Sequence, residues 1–496
     1  MKRIILSRTA ACLLAVLLLS SCKGEGRLPD GRVDIREPLV TSDINGNVTT
    51  TEQTTTGTSA VLLTQTEETT TQTEPTTVTV SETEQTEPTV TQSETGIDET
   101  RPVEGITTLE RPTETTTEAT TTAATTELPP VTEQVWQTTA PTPSYTGTAA
   151  VRKERITQPY AYHFMTEAEK LVYTQLCTAI HGCDSSELVP AAPISADAFD
   201  KLLTTVLYYD NTAFYLDNTY KVAVSKGNNT VRRFSLLYTM SAAEATAMKA
   251  AADNRCQEIY AMITPSMSEY DIVKLFHDEL IRYTAYDLNS GYGETIYGAL
   301  VEGKASCQGY SKAFAYLCDG YGIPNIIITG DFSGPHMWNM VRLGDSWYYM
   351  DITNDDPGNS KYTKHIEYKY FLMTTEQLKK THTLDSQPFA YPTADNDVQD
   401  YFRLNGLVAD SYEKAVEIAY NEILRITKAG EDGIEFRCSD SAVFEEVYER
   451  FYKKAELLDI VRVANMSAES KLNETGVTYN SEKDGTNIIS VFFTYS

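Results

Sequence analysis

The stretch GKASCQGYS, residues 303–311, places a cysteine between a polar break and an apolar run. Residues 303–306 interrupt the preceding segment, and residues 311–318 are apolar enough to form a buried helix that ends near Gly320. We therefore expect a helix that begins at or near Cys307, with the positive end of its dipole at the sulfur. Because a nucleophilic thiol must ionise more readily than a free cysteine, whose pKa is about 8.5, this is a suitable place for a reactive one.

A histidine and an aspartate follow Cys307 and complete the residue types of a nucleophilic acyl-transfer site. His336 begins the motif HMWN, and Asp351 ends the motif WYYMD. Residues 336–343 and 346–353 have the pattern of two strands, and the Gly-Asp pair between them is a two-residue hairpin signal. The sequence thus predicts that His336 and Asp351 belong to one hairpin.

The hairpin turn determines which residues of its strands are neighbours. With two residues in the turn, Leu343 pairs with Ser346. Continuing the ladder puts Asp351 diagonal to His336 on one face, about 7 Å away at Cα, within reach of a side-chain hydrogen bond. Trp338 would lie opposite Asp351 and shield that bond from water. A three-residue loop would reverse the alternation of faces, so the pairing depends on this turn.

Together these motifs resemble the signature segments of the transglutaminase-like superfamily. Upstream segments are similar to those that precede the cysteine in bacterial members: FHDEL at 276–280, YD at 286–287 and YGAL at 297–300. The likeness covers residues 268–382 and continues more weakly back to residue 160. It implies an α+β, papain-like core in which a helix carrying Cys307 packs on an antiparallel sheet carrying His336 and Asp351.

The resemblance also implies a chemistry and the role of each residue. Asp351 holds the tautomer of His336, and His336 takes the proton of Cys307, which attacks an amide bond of a protein or peptide to form a thioester. No cofactor or metal ion is expected. Hydrolysis of the thioester and transfer to an amine both stay open, since the sequence shows no amine site. One departure is ITN at 352–354, where many relatives have Thr-Trp after the aspartate.

Two other functions compete with a thiol enzyme. One is a non-catalytic surface binding or adhesion protein with a vestigial triad, against which the intact Cys307, His336 and Asp351 count. The other places the function in the C-terminal part of the chain, where no chemistry is recognisable. Among the remaining histidines, His277 is interpreted as structural, and no role is expected for His365 or His382.

The amino terminus predicts a lipoprotein signal peptide, residues 1–22. A basic start precedes an apolar stretch that is too short to span a bilayer, and LSSC at 19–22 resembles a bacterial lipoprotein processing box. Cys22 would carry the lipid, anchoring the protein to the bacterial membrane on its extracytoplasmic side. A plain signal peptide with an incidental cysteine is the alternative.

Residues 23–151 are rich in Thr, Glu, Pro and Gln and poor in aromatic and branched apolar residues. Such a composition buries too little apolar surface to offset chain entropy, so we expect a disordered stalk. The net charge of −28 argues against nucleic acid as a partner, because that needs a basic face. The expected partners are a protein or peptide substrate, with cell-wall and surface proteins as candidates, and the membrane through the lipid.

Two folded parts are predicted beyond the stalk. Residues 158–393 would form the transglutaminase-like domain with an N-terminal helical part, and residues 396–496 a small α+β domain of unknown role. Within them, the sequence predicts short strands at residues 213–215 and around Val461, and a helix over residues 442–458. The cysteines outside the signal peptide and Cys22 are too sparse for a disulfide framework, although Cys177 and Cys183 are near enough in sequence to pair. They also lack the short spacing of a zinc site.

Overall fold

The computed structural model describes residues 39–43, 48–51, 106–110 and 149–496, with gaps at 226, 359–364, 387–388 and 481–482. The predicted signal peptide, Cys22 and most of the predicted stalk lie outside the described residues, so these remain predictions. Among the residues that are described, no helix combines the length and the hydrophobicity needed to cross a membrane.

The described part of the chain is mixed α+β, as the sequence predicts. Its α-helices run over Glu167–His181, Ala196–Tyr209, Ala242–Tyr260, Glu269–Tyr283, Cys307–Tyr321, Ile352–Asp355, Thr375–Leu378, Tyr401–Leu404, Tyr412–Ala429, Ser441–Tyr448 and Glu456–Ser467. A 3-10 helix covers Tyr160–Phe164, and π-helical turns cover Gly298–Glu302 and Glu449–Lys453.

An antiparallel sheet, here called the central sheet, lies against the helix Cys307–Tyr321, here called the cysteine helix. Its strands, in spatial order, are Ser346–Met350, Pro335–Leu343, Asn325–Asp331 and Thr383–Leu384. A hydrophobic cluster that includes residues of the cysteine helix and of the central sheet is almost wholly buried. The predicted combination of a cysteine-bearing helix on an antiparallel sheet is therefore present.

Further sheets lie on either side of this core in the sequence. One contains Val48–Thr51, Leu39–Asp43, Leu216–Val224 and Val231–Tyr238 in that order, and another contains Val408–Ala409, Gly433–Cys438, Ile488–Phe492, Gly476–Asn480 and Ile106–Glu110. A small parallel pair joins Ala285–Tyr286 to Lys304–Ala305, just before the cysteine helix. Separate buried clusters accompany the first two sheets, over residues 172–245 and 402–493.

Three short strands fall inside the segment predicted as a stalk, and they were not expected. Leu39–Asp43 pairs with Leu216–Val224, Val48–Thr51 pairs with Leu39–Asp43, and Ile106–Glu110 pairs with Gly476–Asn480. Their sequences contain the β-branched residues Thr, Val and Ile, which favour extended backbone. The low hydrophobicity of the whole segment 23–151 outweighed this local preference in the prediction. Other residues of 23–148 lie outside the described part of the chain.

Two strand predictions are wrong. Residues 213–215 form turns, with backbone bonds from Ala213 N to Asp210 O and from Leu216 N to Ala213 O, both 3.0 Å long. A short apolar run cannot be told from a buried turn by its pattern. Val461 lies in a helix because Leu457, Val461 and Ala464 follow helical spacing and are all buried.

The predicted helix over residues 442–458 is interrupted. The structure has a helix over Ser441–Tyr448 that continues into the π-helical turn Glu449–Lys453. A new helix begins after Ala455, whose φ of 58° is left-handed. A single residue with positive φ stops a helix, and an alanine in the sequence does not indicate a positive φ. This break redirects the chain so that Glu456–Ser467 packs against Tyr412–Ala429.

The C-terminal part, residues 396–496, has its own core but is bonded to the rest of the fold. The Tyr368 amide donates to Glu435 Oε2 at 2.7 Å, and Lys369 forms an ion pair with Asp484. The Tyr401 ring stacks on Tyr368 with centroids 3.8 Å apart. These contacts make the segment around Tyr368 a bridge between the C-terminal part and the turn that holds Asp351.

Candidate active site

The cysteine helix begins at Cys307, as the sequence predicts. Its N-cap is Ser306, whose amide donates to the Gly293 carbonyl at 2.9 Å and whose side chain forms no capping hydrogen bond with the first turn. Cys307 is partly exposed, in contrast to Cys318 in the middle of the same helix. Cys307 is therefore not wholly buried and lies at the positive end of the helix dipole.

Gly309 allows the loop before the helix to approach closely. A Cβ at this position would lie 2.1 Å from the Gly293 carbonyl oxygen and 2.8 Å from the Ala305 Cβ. Because the first of these neighbours is backbone, the clash cannot be relieved by rotating a side chain. The glycine of the CQGY motif is thus required by the packing that positions Cys307.

We expect Gly309→Ala to lower the free energy of unfolding by about 3 kcal/mol, the upper end for overpacking, because backbone must move. Gly291→Ala is the matched control in the same region, since an added Cβ there meets nothing within 4 Å. Urea unfolding followed by tryptophan fluorescence measures both. Equal stability of the two variants would contradict the close approach.

Two side-chain bonds fasten the cysteine helix to the strand that carries His336. Ser311 Oγ donates to the Met337 carbonyl at 2.9 Å, and Asn339 Nδ2 donates to the Ser311 carbonyl at 3.0 Å. Both side chains are buried, so the bonds are protected from competing water. They fix the helix against the strand and hence Cys307 relative to His336.

The predicted register of the hairpin is confirmed as far as the strands extend. Ser346 pairs with Leu343, and the ladder ends at Met350 paired with Asn339. The predicted extension of the second strand to residue 353 is wrong, so Asp351 does not pair with Trp338. It is instead the N-cap of the helical turn Ile352–Asp355.

This turn aims the carboxylate of Asp351. Its Oδ1 accepts the Asn354 amide at 3.2 Å, and its own amide donates to the Tyr370 carbonyl at 3.1 Å. Asn354 Nδ2 also contacts Oδ2, the oxygen that faces His336. An aspartate that caps a turn in this way keeps little freedom to rotate.

His336 and Asp351 form a buried, charge-assisted contact. Nε2 of His336 lies 2.7 Å from Oδ2 of Asp351, and the two side chains are 9% and 0% exposed. Burial alone would lower the pKa of His336, but the Asp351 carboxylate, with a further contribution from Cys307, raises it to about 10. Burial alone would raise the pKa of Asp351, but His336 and a second histidine hold it well below its usual range.

Trp338 covers this contact, although not from the predicted position. Its ring stacks on His336 with centroids 5.7 Å apart and an interplanar angle of 24°. The two residues lie two positions apart on one strand and therefore share a face of the sheet. Trp338 is 1% exposed, so it shields the imidazole from water.

Residues 257–352 match the family model of the transglutaminase-like superfamily. This part of the chain is transglutaminase-like. Two solved structures are similar to part of the chain. One is a candidate cysteine protease from Cytophaga hutchinsonii, with 20% identity, a TM-score of 0.20, and coverage of 21% of this chain and 39% of that one. The other is a TGase, with 19% identity, a TM-score of 0.22, and coverage of 36% and 53%.

This chain therefore covers less than two thirds of either solved chain. A comparison with curated proteins finds no significant match. The family match contains Cys307, His336 and Asp351, and the structure places His336 against Asp351. The catalytic roles of these three residues stay a prediction.

His277 supports the transglutaminase-like core from behind the site. Its Nδ1 lies 3.0 Å from Asp278 Oδ1 and its Nε2 lies 3.1 Å from Asp355 Oδ2. Burial would lower the pKa of His277, but hydrogen bonds to Asp278 and Asp355 raise it instead. Since Asp355 ends the turn that Asp351 begins, these contacts brace that turn, in agreement with a structural role.

His382, for which no role was expected, contacts Asp351 in the candidate site. It is 2% exposed, and its Nε2 lies 3.0 Å from the same Oδ2 of Asp351 that contacts His336. It stands outside the three motifs, 31 residues after Asp351, and no pattern in THT at 381–383 indicates a site. Only the pairing of Thr383–Leu384 with the central sheet brings it there.

The three side chains His336, Asp351 and His382 also have the composition of a metal site, with ligand atoms within 4.8 Å of one another. Two ligands 2.0–2.1 Å from a tetrahedral zinc ion would lie roughly 3.3 Å apart. The observed histidine–aspartate distances of 2.7 and 3.0 Å are shorter. They fit hydrogen bonds better than coordination.

The six described cysteines are free, including Cys177 and Cys183, for which pairing had stayed open. Burial raises the pKa of Cys177 to about 12 and that of Cys438 to about 12, and raises that of Cys318 well above its ordinary value. Thiols that resist ionisation react slowly with electrophiles. The reactivity of these three thiols with electrophiles is therefore the reference against which that of Cys307 is compared.

Proposed function

We propose that the protein is an extracytoplasmic thiol enzyme that acts on amide bonds of proteins or peptides through an acyl-enzyme at Cys307. The observation that supports the proposal is the contact between His336 and Asp351 within a transglutaminase-like core. Cys307 contributes to the raised pKa of the same histidine. A thiol, an imidazole and a carboxylate in that sequence of contacts are the parts of nucleophilic acyl transfer.

The chemistry divides into two steps. In the first, the Cys307 sulfur attacks the amide carbon, the carbon–nitrogen bond breaks, and His336 gives its proton to the leaving amine or ammonia. In the second, water or an amine attacks the thioester and gives a proton to His336 as the sulfur leaves. Asp351 keeps the imidazole oriented and stabilises its charged form throughout.

Its raised pKa suits His336 to the first step. With a pKa of about 10, the ring carries a proton at neutral pH and stabilises a thiolate beside it by charge. The same proton is then available to the leaving group. Trp338, by excluding water from one face of the ring, strengthens both interactions.

A non-catalytic surface binding protein is the other candidate function. A vestigial site has no need of a charged histidine–aspartate pair that is buried on both sides, because burying such a pair is costly unless it is retained for use. The intact contact at 2.7 Å favours the enzyme.

A panel of three assays on the purified protein tests the proposal. Transfer is scored by the incorporation of a fluorescent primary amine into glutamine-containing peptides, deamidation by ammonia release without the amine, and proteolysis by mass spectrometry of a peptide library. We expect at least one signal, lost after pretreatment with iodoacetamide. No signal in any assay, together with saturable binding of a peptide, would support the binding protein.

We also propose that Cys22 carries a lipid that anchors the enzyme to the bacterial membrane. The support is the sequence of the processing box. Expressed in a bacterial host, the wild type should partition with membranes and carry the mass of the lipid, whereas Cys22→Ala should remain unprocessed. Identical masses and processing of the two proteins would remove the anchor from the proposal.

A further inference from the structure

His382 contacts the site through one atom pair. Its Nε2 lies 3.0 Å from Asp351 Oδ2, and His336 Nε2 lies 2.7 Å from the same oxygen. An ionised carboxylate only accepts hydrogen bonds, so both imidazoles donate through Nε2. The two rings are 6.1 Å apart between centroids. Asp351 is thus held by a second imidazole as well as by the one it orients.

The orientation of His382 is itself fixed by its neighbours. Its Nδ1 lies 2.8 Å from the Thr381 hydroxyl, and its amide donates to the Leu378 carbonyl at 2.9 Å. The next residues, Thr383–Leu384, pair with the central sheet. The ring therefore has one rotamer in which Nε2 faces Asp351, and this rotamer is supported from both sides.

An aromatic cage surrounds the ring. Phe332 and Trp338 have centroids 4.7 and 4.9 Å from that of His382, and Tyr370 has its centroid 5.4 Å away. A phenylalanine would satisfy such packing alone. Burying a polar ring in this cage costs free energy unless its nitrogen atoms form hydrogen bonds. The structure shows such a partner for Nε2, the carboxylate of Asp351.

We propose that His382 is a positioning residue that acts through Asp351 by holding Oδ2 in the orientation that His336 needs. This inference rests on the proposed function, because it assigns a second support to the same triad. Without the His382 bond, Oδ2 keeps His336 and Asn354 as partners, but the carboxylate gains freedom to turn away from the imidazole. The expected consequence is a slower reaction at Cys307 with little change in substrate binding.

A matched pair of polar substitutions separates the hydrogen bond from the packing. A glutamine amide nitrogen reaches about as far as Nε2 of histidine, whereas an asparagine amide nitrogen reaches only about as far as Nδ1. His382→Gln can therefore still donate to Asp351, and His382→Asn can bond Thr381 but falls short of the carboxylate. Both variants introduce an amide of similar polarity.

The readout is the rate at which iodoacetamide alkylates Cys307 at pH 7, identified by peptide mass spectrometry, which needs no substrate. We expect His382→Asn to slow alkylation about tenfold and His382→Gln to stay within about threefold of the wild type. Where the panel gives a substrate, kcat should fall in the same order while KM changes little. His365→Gln is the control, because His365 is equally buried but lies against Gly433, away from the triad.

The possible failures are distinguishable. If Cys307 of the wild type is alkylated no faster than Cys318, the proposed function fails and His382 has nothing to support. If the wild type reacts fast and His382→Asn reacts equally fast, the positioning role is wrong. If Asn and Gln variants, both folded by tryptophan fluorescence, slow the reaction equally, the ring matters through its packing, which also overturns the proposal.

Discussion

Cys307→Ala is expected to abolish every activity that the panel detects, with a loss of roughly 10⁴-fold or more. The helix places the thiol at its first residue, and no described cysteine near the site could replace it, since Cys318 is fully buried. Removing the nucleophile leaves only the weak acceleration that binding and oriented dipoles provide. The measurement is the initial rate in whichever assay the wild type gives a signal.

Cys318→Ala is the matched control for that loss. It removes a thiol from the same helix, and the small cavity it leaves should lower stability by about 1 kcal/mol without changing the initial rate. Iodoacetamide should label Cys307 in this variant as fast as in the wild type. Retained activity in Cys307→Ala would exclude the acyl-enzyme, whatever the result at Cys318.

The parts of the site that could be predicted were those specified by local sequence. The start of the cysteine helix follows from the polar break before Cys307, and the hairpin register follows from the two residues between Leu343 and Ser346. Both depend on residues within a few positions of one another. The contact between His336 and Asp351 follows from that register even though the ladder stops three pairs earlier than expected.

What the sequence could not predict depends on distant contacts. Asp351 leaves the strand because its amide bonds the Tyr370 carbonyl and its side chain caps a turn. His382 reaches the site only because Thr383–Leu384 adds to the far edge of the central sheet. Neither the Tyr370 bond nor the strand at Thr383–Leu384 has a signal in the neighbouring residues. The strand at Ile106–Glu110 was missed for the same reason, since its partner is Gly476–Asn480.

Asp351→Asn is expected to lower activity by roughly 10²- to 10⁴-fold while the protein stays folded. Asparagine keeps an oxygen for the donors of His382 and Asn354, but it removes the charge that raises the pKa of His336. The imidazole then loses both its orientation and its proton at neutral pH. Activity at a single pH would not separate these two effects from a general loss of structure, so stability must be followed as a function of pH.

The sign of the pH dependence follows from the two shifted groups. The folded-state pKa of Asp351 is depressed, so its contribution to stability is present above the unfolded value of about 3.9 and is lost as pH falls. The folded-state pKa of His336 is raised, so its contribution is complete below about 6.5 and is lost as pH rises toward about 10. The pair therefore stabilises the fold most between about pH 4 and pH 6.5.

The free energy of unfolding of the wild type should exceed that of Asp351→Asn by on the order of 2 kcal/mol at pH 6, and the difference should shrink steadily toward pH 10. Two of the three tryptophans, Trp338 and Trp347, lie in or beside the hairpin, so urea unfolding followed by fluorescence reports on this region. Asp400→Asn is the control, because the partner of Asp400 is an arginine and not a histidine. A difference for Asp351→Asn that stays constant from pH 6 to pH 10 would show that His336 is not its charged partner, and the triad would then lack the member that connects Asp351 to Cys307.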